Sequence, residues 1–228
     1  NADDEQVRAF TQPSQAQRLY FSVQKRVDGA YLENGKLCFN GEMIIDQDQL
    51  AMPKGEHNIA NALAAIAVAK IMNVPNSHIQ QVLESFTGVP HRLQYVETIN
   101  GRLFYNDSKA TNILATSKAL SAFNQPTILL AGGLDRGNGF DDLIPFLGNV
   151  KAIFSYGQTK QKIYETAKKA GVKTVELVDN LEEAVHAAYD LSEAGDVVLL
   201  SPACASWDQF KTFEERGDMF VDLVHRLK

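Results

Sequence analysis

Residues 106–112, NDSKATN, bring a carboxylate, an ammonium group, hydroxyls and amides into one short stretch. A connection between two elements needs far less donor and acceptor capacity than this. In such a turn Asp107 could accept hydrogen bonds from ribose hydroxyls, Lys109 could neutralise a phosphate or carboxylate, and Thr111 could donate to one. The plain structural alternative makes Thr111 or Asn112 a helix cap and Asp107 a turn residue. It leaves Lys109 without a reason, since a cation is unfavourable at the positive end of a helix.

Two further stretches have chemical content. In GGLDRGNGF, residues 132–140, the glycines would let a ligand approach the backbone, and Arg136 offers a planar, permanently charged clamp for a carboxylate. Alone, an arginine in a loop is weak evidence. In SPACASWDQF, residues 201–210, small side chains follow an apolar run, and a helix is expected to start near Ser206 or Asp208. Its free amides would favour a carboxylate or phosphate. Alternatively Ser206 and Asp208 only cap that helix, Cys204 is a small core residue, and Phe210 and Phe213 pack inward.

Nearer the start, HNIAN sets His57 and Asn61 one helical turn apart, with Asn58 beside them. An asparagine can read an adenine edge because it both donates and accepts, but His57 or Asn58 could equally cap the helix. Arg92, in the sequence PHR, could reach a nucleotide held between domains or be an ordinary linker arginine.

The elements that must position these groups fall into two regimes. Residues 19–52 alternate apolar and polar, with turn signals at Asp28-Gly29, Asn34-Gly35 and Asn40-Gly41, which predicts an antiparallel hairpin set. Two helices, 57–72 and 76–86, should follow, both well buried. Gly88 and Pro90 then punctuate the chain, giving expected domains of 1–89 and 90–228. Beyond them a hairpin turning at Asn100-Gly101 leads into short apolar strands separated by amphipathic helices. That rhythm predicts an α/β fold, a doubly wound and mostly parallel sheet, with ligands beyond the carboxyl ends of its strands.

Composition narrows the class. The chain has 228 residues, 45% of them hydrophobic, and a net charge of −6. It holds no basic block for a nucleic acid and no apolar run near the roughly 20 residues of a membrane span. Cys38 and Cys204 form no CxxC pair, so both are expected as free thiols in a cytoplasmic protein. The nearest approach to a phosphate-binding P-loop, GAYLENGKL at 29–37, has the wrong glycine spacing. There is no GxGxxG after a strand, which disfavours a nucleotide-dependent oxidoreductase, and the histidines show no metal spacing. Spacing alone stops at a two-domain α/β protein with an anion-binding crevice.

Taken together, KGEHNIANALAAIAVA, VPHRLQYV, YNDSKATNILAT, LLAGGLDRG and LLSPACASWDQFKTFEERGDMF resemble the Mur ligase family over essentially the whole chain. DSKATN and the pattern SPACASxDxFxxFxxRG are similar to its D-glutamate-adding member. HNxxN is shared with other Mur ligases and folylpolyglutamate synthases. The resemblance implies an ATP-dependent ligase that phosphorylates the carboxylate of UDP-N-acetylmuramoyl-L-alanine (UDP-MurNAc-L-Ala) and joins it to D-glutamate. It implies nucleotide contacts at Asn58, Asn61, Arg92 and Asp107, with Lys109 near the reacting phosphate as the catalytic cation. Thr111, Arg136, Ser206 and Phe213 would form the D-glutamate site. Trp207 stands where a leucine is common in the family.

The same resemblance places Asn1 partway through the central ATP-binding domain, with the P-loop and the magnesium (Mg2+) ligands upstream. It implies a monomer whose partners are small molecules, and the 228-residue chain by itself is expected to be inactive. Purified chain that turned over the full reaction would refute that expectation. Alternatives are a ligase for another amino acid, a folylpolyglutamate synthase, or a noncatalytic binding module.

Overall fold

In the computed structural model, which describes residues 1–52 and 55–227, the chain divides into two units, Asn1–Gly88 and Val89–Lys228. The first opens with α1 (Glu5–Thr11), whose first-turn amide at Val7 is capped by the Asp4 carboxylate. A four-stranded sheet follows, β1 (Tyr20–Ser22), β2 (Gly29–Glu33), β3 (Lys36–Phe39) and β4 (Glu42–Asp46), in that spatial order. Asn34-Gly35 and Asn40-Gly41 make the two hairpin turns, with positive φ at all four residues as such turns require.

The Asp28-Gly29 signal has a different meaning from the expected turn. β1 pairs parallel with β2, Tyr20 opposite Gly29, so the sheet is mixed and not purely antiparallel. Gly29, at φ 134°, lies against the Tyr20 carbonyl, where any Cβ would collide. The glycine therefore serves close strand approach.

After a 3₁₀ turn at Gln47–Gln49 come α2 (Glu56–Ile71) and α3 (Asn76–Ser85). Leu63, Ile66, Ile79 and Leu83 pack on Leu37 and Ile44 of the sheet. The expectation that both helices are well buried fails on their outer faces: Val68 of α2 is 61% and Val82 of α3 59% exposed. An apolar sequence all round α2 finds cover on one side only. Lys54, in the KGEHN motif, lies outside the described residues.

The second unit is built on six strands: β5 (Gln94–Ile99), β6 (Arg102–Asn106), β7 (Thr127–Gly132), β8 (Val150–Tyr156), β9 (Thr174–Leu177) and β10 (Val197–Leu200). The spatial order is β5-β6-β10-β7-β8-β9, with β5 antiparallel to β6 and all other pairs parallel. Alternate side chains feed two cores. Leu129, Ala131, Val197 and Leu199 face α4 (Ile113–Leu120), a 3₁₀ segment (Asp141–Phe146) and α5 (Lys160–Lys169). Ile128, Leu130, Val198 and Leu200 face α6 (Leu181–Leu191) and α7 (Phe213–His225). This is the doubly wound sheet that continuous apolar strands between amphipathic helices specify. Because β10, last in sequence, inserts between β6 and β7, the loops leaving those three neighbours emerge side by side at their carboxyl ends.

Candidate functional site

The three loops are tied together by backbone hydrogen bonds. Gly132, the last residue of β7, and Leu134, just beyond it, donate their amides to the carbonyls of Pro202 and Ala205 after β10, each at 2.9 Å. Asp107, after β6, donates its amide to Leu200 at 2.7 Å. Gly132 and Gly133 thus have a purpose other than the expected ligand approach, while a Cβ on Gly137 or Gly139 would meet nothing within 4 Å. A Cβ on Gly133 would strike the Ala205 carbonyl, and one on Gly132 the Tyr156 carbonyl. They allow neighbouring backbones to close on one another.

Within this frame Lys109 is exposed, and its amide is held by the His91 carbonyl at 2.9 Å. Its ammonium lies over the Phe213 ring, 4.7 Å from the centroid. Arg136, also exposed, stacks on Trp207 at 4.9 Å. Its neighbour Asp135 is occupied by Lys162 at 2.7 Å, an ion pair that pulls the Asp135 carboxyl below its ordinary range. Neither Lys109 nor Arg136 has an ion pair among the described residues. Each cation of the β6 and β7 loops is therefore set on an aromatic face supplied by the segment that follows β10, its charge open to an incoming anion.

Ser206 immediately precedes Trp207 and is 1% exposed. Its backbone carbonyl accepts from Gln209 and Phe210, closing a turn, while its hydroxyl has no partner among the described residues. A buried hydroxyl left unbonded is costly and marks a place where a ligand atom would be welcome. The predicted helix start is corrected: α7 begins at Phe213, capped by the Thr212 hydroxyl, which accepts from Glu215 at 3.2 Å. Glu214 and Glu215 fill its first turn, so its dipole is already answered by carboxylates and offers nothing to an anion. Asp208 accepts the Gln158 amide at 3.1 Å in place of capping.

Asn112 caps α4, accepting the Ala115 amide at 2.9 Å. Thr111 is left half-buried with a hydroxyl that makes no hydrogen bond among the described residues. Asp107 turns inward, 5% exposed, one oxygen accepting the Leu93 amide at 3.0 Å and the other the Ser201 hydroxyl at 2.7 Å. Burial pushes its carboxyl up to about 6, against the lowering influence of those bonds and of Arg92. Arg92 itself is exposed. Cys204 is a core thiol as anticipated, 4% exposed beside Thr159, and burial pushes it up to about 11, far from a nucleophile.

In the first unit, α2 starts after Gly55 with no side-chain cap, so neither His57 nor Asn58 caps it. Asn58 lines a cleft of about 160 Å³ with Leu50, Met52 and Ile59. Asn61, one turn on, is exposed and outside that lining. Among the described residues no group of three His, Cys, Asp or Glu side chains could hold a metal ion, and no helix is long and apolar enough to cross a membrane.

Sequence reasoning missed Arg216, wholly buried in α7, and Trp207 as the platform under Arg136. A charged run such as EERGD reads as a solvated face, and nothing local announces that one of its members turns inward.

The profile of a family described as "Mur ligase, glutamate ligase domain" matches residues 91–204. A UDP-N-acetylmuramoylalanine–D-glutamate ligase from Bacillus subtilis is 59% identical over all of this chain and 51% of its own length. One of the same name from Bacillus anthracis is 59% identical over 50% of its length. The chain spans about half the length of the curated relatives it matches. Among solved structures, the UDP-N-acetylmuramate-alanine ligase MurC from Thermotoga maritima aligns with a TM-score of 0.63 at 18% identity, over 91% of this chain and 48% of that one. A MurF ligase from Thermotoga maritima, in complex with ADP, aligns with a TM-score of 0.60 at 16% identity, over 92% and 49%.

Proposed function

The chain belongs to the Mur ligase family, and on that premise we propose that it is the amino-acid-adding half of an ATP-dependent ligase joining D-glutamate to UDP-MurNAc-L-Ala. The observation that carries this reading is the pair of exposed cations, Lys109 and Arg136, each seated on an aromatic ring from the segment after β10. D-glutamate brings two carboxylates and one amine. Arg136 and the unpartnered hydroxyl of Ser206 suit the carboxylates, Lys109 stands open to the reacting phosphate, and the amine is left to react.

In the proposed reaction the substrate carboxylate takes the γ-phosphoryl group of ATP, giving an acyl phosphate and releasing ADP. The amine lone pair attacks the acyl carbon, phosphate departs with the electrons of the broken bond, and the amine nitrogen gives up a proton to solvent. This chain's part is orientation and charge stabilisation. Lys109 holds its charge beside the leaving phosphate, Arg136 grips the distal carboxylate, and Thr111 and Ser206 donate to carboxylate oxygens. Phe213 keeps the Lys109 ammonium in place. In the first unit Asn58, lining its cleft, suits an adenine edge, with Asn61 an exposed group one turn on; in the second unit Arg92 is an exposed cation that suits a nucleotide phosphate. Asp107, with both oxygens already bonded, would order the β6 loop more than it would bind ribose. For the Mg2+ that would accompany ATP, the described residues offer no group of three His, Cys, Asp or Glu side chains. The proposed setting is a cytoplasmic monomer in peptidoglycan precursor synthesis.

The test is phosphate release by the full-length protein with ATP, magnesium and UDP-MurNAc-L-Ala, given D-glutamate, L-glutamate, L-lysine or meso-diaminopimelate in turn. Release with D-glutamate only is expected. Release with another amino acid would overturn the assignment of Arg136, Ser206 and Phe213; release with none would overturn the ligase reading.

A further inference from the structure

Arg216 is the largest wholly buried side chain, 0% exposed, and it has no ion-pair partner among the described residues. A guanidinium taken out of water without a carboxylate is expensive unless its donors are well used. Nε and Nη2 run to two different loops, while Nη1 is buried without a hydrogen-bond partner among the described residues. Nε donates to the Ser108 hydroxyl at 2.9 Å, and Nη2 donates to the Ser108 carbonyl at 2.8 Å and to the Cys204 carbonyl at 3.1 Å. Ser108 passes the connection on, its hydroxyl donating to the Phe213 carbonyl at 2.7 Å.

The bridged residues flank the candidate site. Ser108 immediately precedes Lys109, and Cys204 stands two positions before Ser206. Next to Arg216, the absence of a side chain on Gly217 gives the His91 ring its room, since a Cβ there would collide with it. The Gly217 carbonyl accepts from Asn106 at 3.1 Å, while the His91 carbonyl holds the Lys109 amide. Both halves of the Arg216-Gly217 pair thus dock α7 onto the exit of β6.

We propose that Arg216 is a positioning residue for amide formation: its guanidinium sets the spacing between the loop that carries Lys109 and the loop that carries Ser206. Wholly buried, it would act through those two loops and not on the substrate itself. A lysine would keep the charge but, as a single point donor, could not span Ser108 and Cys204 in the same fixed geometry. This inference rests on the functional reading above.

The experiment compares wild type, Arg216→Lys and Ser108→Ala in the full-length protein, measuring kcat, KM for D-glutamate and for ATP, and Tm. Misplacing groups by an ångström costs on the order of 100-fold in rate. Arg216→Lys is expected to lose roughly that much in kcat/KM for D-glutamate with an unchanged KM for ATP. Ser108→Ala, which removes one acceptor and keeps the guanidinium, should show a smaller loss of the same kind even where Arg216→Lys fails to fold.

A readout free of activity uses Trp207, the single tryptophan of these 228 residues, its share of the full-length protein's emission taken as the difference from a Trp207→Phe variant. Its emission and acrylamide quenching should change in both variants while far-ultraviolet circular dichroism stays native. Folded variants with wild-type kinetics and wild-type Trp207 emission would overturn the proposal, as would losses that only track Tm. A wild-type enzyme inactive with D-glutamate would instead sink the functional reading, and Trp207 alone would then decide whether Arg216 sets the loop.

Discussion

The two units hold their candidate residues in different ways. In the first, Asn58 and Asn61 sit on one helix, and only Asn58 lines the cleft. In the second, Lys109, Arg136, Ser206 and Phe213 come from different loops and from the start of α7, laced by amide-to-carbonyl bonds and by Arg216. A helix fixes spacing through its own repeat, so residues a turn apart need no further support. Loops from separate strands have no such ruler. Their geometry is bought with glycines, buried hydrogen bonds and a buried charge, and perturbing those supports should hurt the second unit far more than the first.

Replacing Lys109 by methionine should cost most, on the order of 1,000-fold in kcat for the full-length enzyme, as loss of a preorganised charge does. A loss below about tenfold would remove Lys109 from the chemistry. Next comes Gly133→Ala. At φ 149° and against the Ala205 carbonyl, the added methyl should destabilise the second unit by about 3 kcal/mol, read as a lowered midpoint in urea. An unchanged midpoint would mean that the lacing is dispensable.

Asp107 gives a pH test of the same lacing. Its folded pKa, about 6, lies above its usual value of 3.8 because burial disfavours the charge. The fold therefore binds the proton more tightly than the unfolded chain does. The stability this contributes is fully present below pH 3.8 and is lost as pH rises through about 6, a change of roughly 2 to 3 kcal/mol. Asp107→Asn should flatten that part of the stability curve, and a persisting slope would assign it elsewhere. The smallest effect is expected for Thr111→Val, a rise of about fivefold in KM for D-glutamate from one lost hydrogen bond.

Much of the fold was legible because its signals are local. Asn34-Gly35, Asn40-Gly41 and Asn100-Gly101 turn where positive φ is needed, and the apolar runs of β7 and β10 could only be covered strands. Three features were not read so simply. The parallel β1–β2 pairing hides behind Asp28-Gly29, since one dipeptide serves a turn or a close approach equally well. The start of α7 was misplaced although Thr212 and Glu215 carry a capping pattern, because Ser206 and Asp208 offered earlier caps. Arg216 stands in the SPACASxDxFxxFxxRG pattern, but its burial could not be read there, being set by partners at Ser108 and Cys204 in two other loops. The same holds for the site: residue types pointed to Lys109 and Arg136, but not to the rings of Phe213 and Trp207 beneath them.

The most direct test of the account is a crossed pair of KM values in the full-length enzyme, Arg136→Met against Asn58→Ala, measured for D-glutamate and for ATP. The account predicts that Arg136→Met raises KM for D-glutamate and leaves that for ATP unchanged, with Asn58→Ala doing the reverse. If Arg136→Met raised the KM for ATP while leaving that for D-glutamate untouched, the placing of the amino-acid site at the β6, β7 and β10 loops would be contradicted.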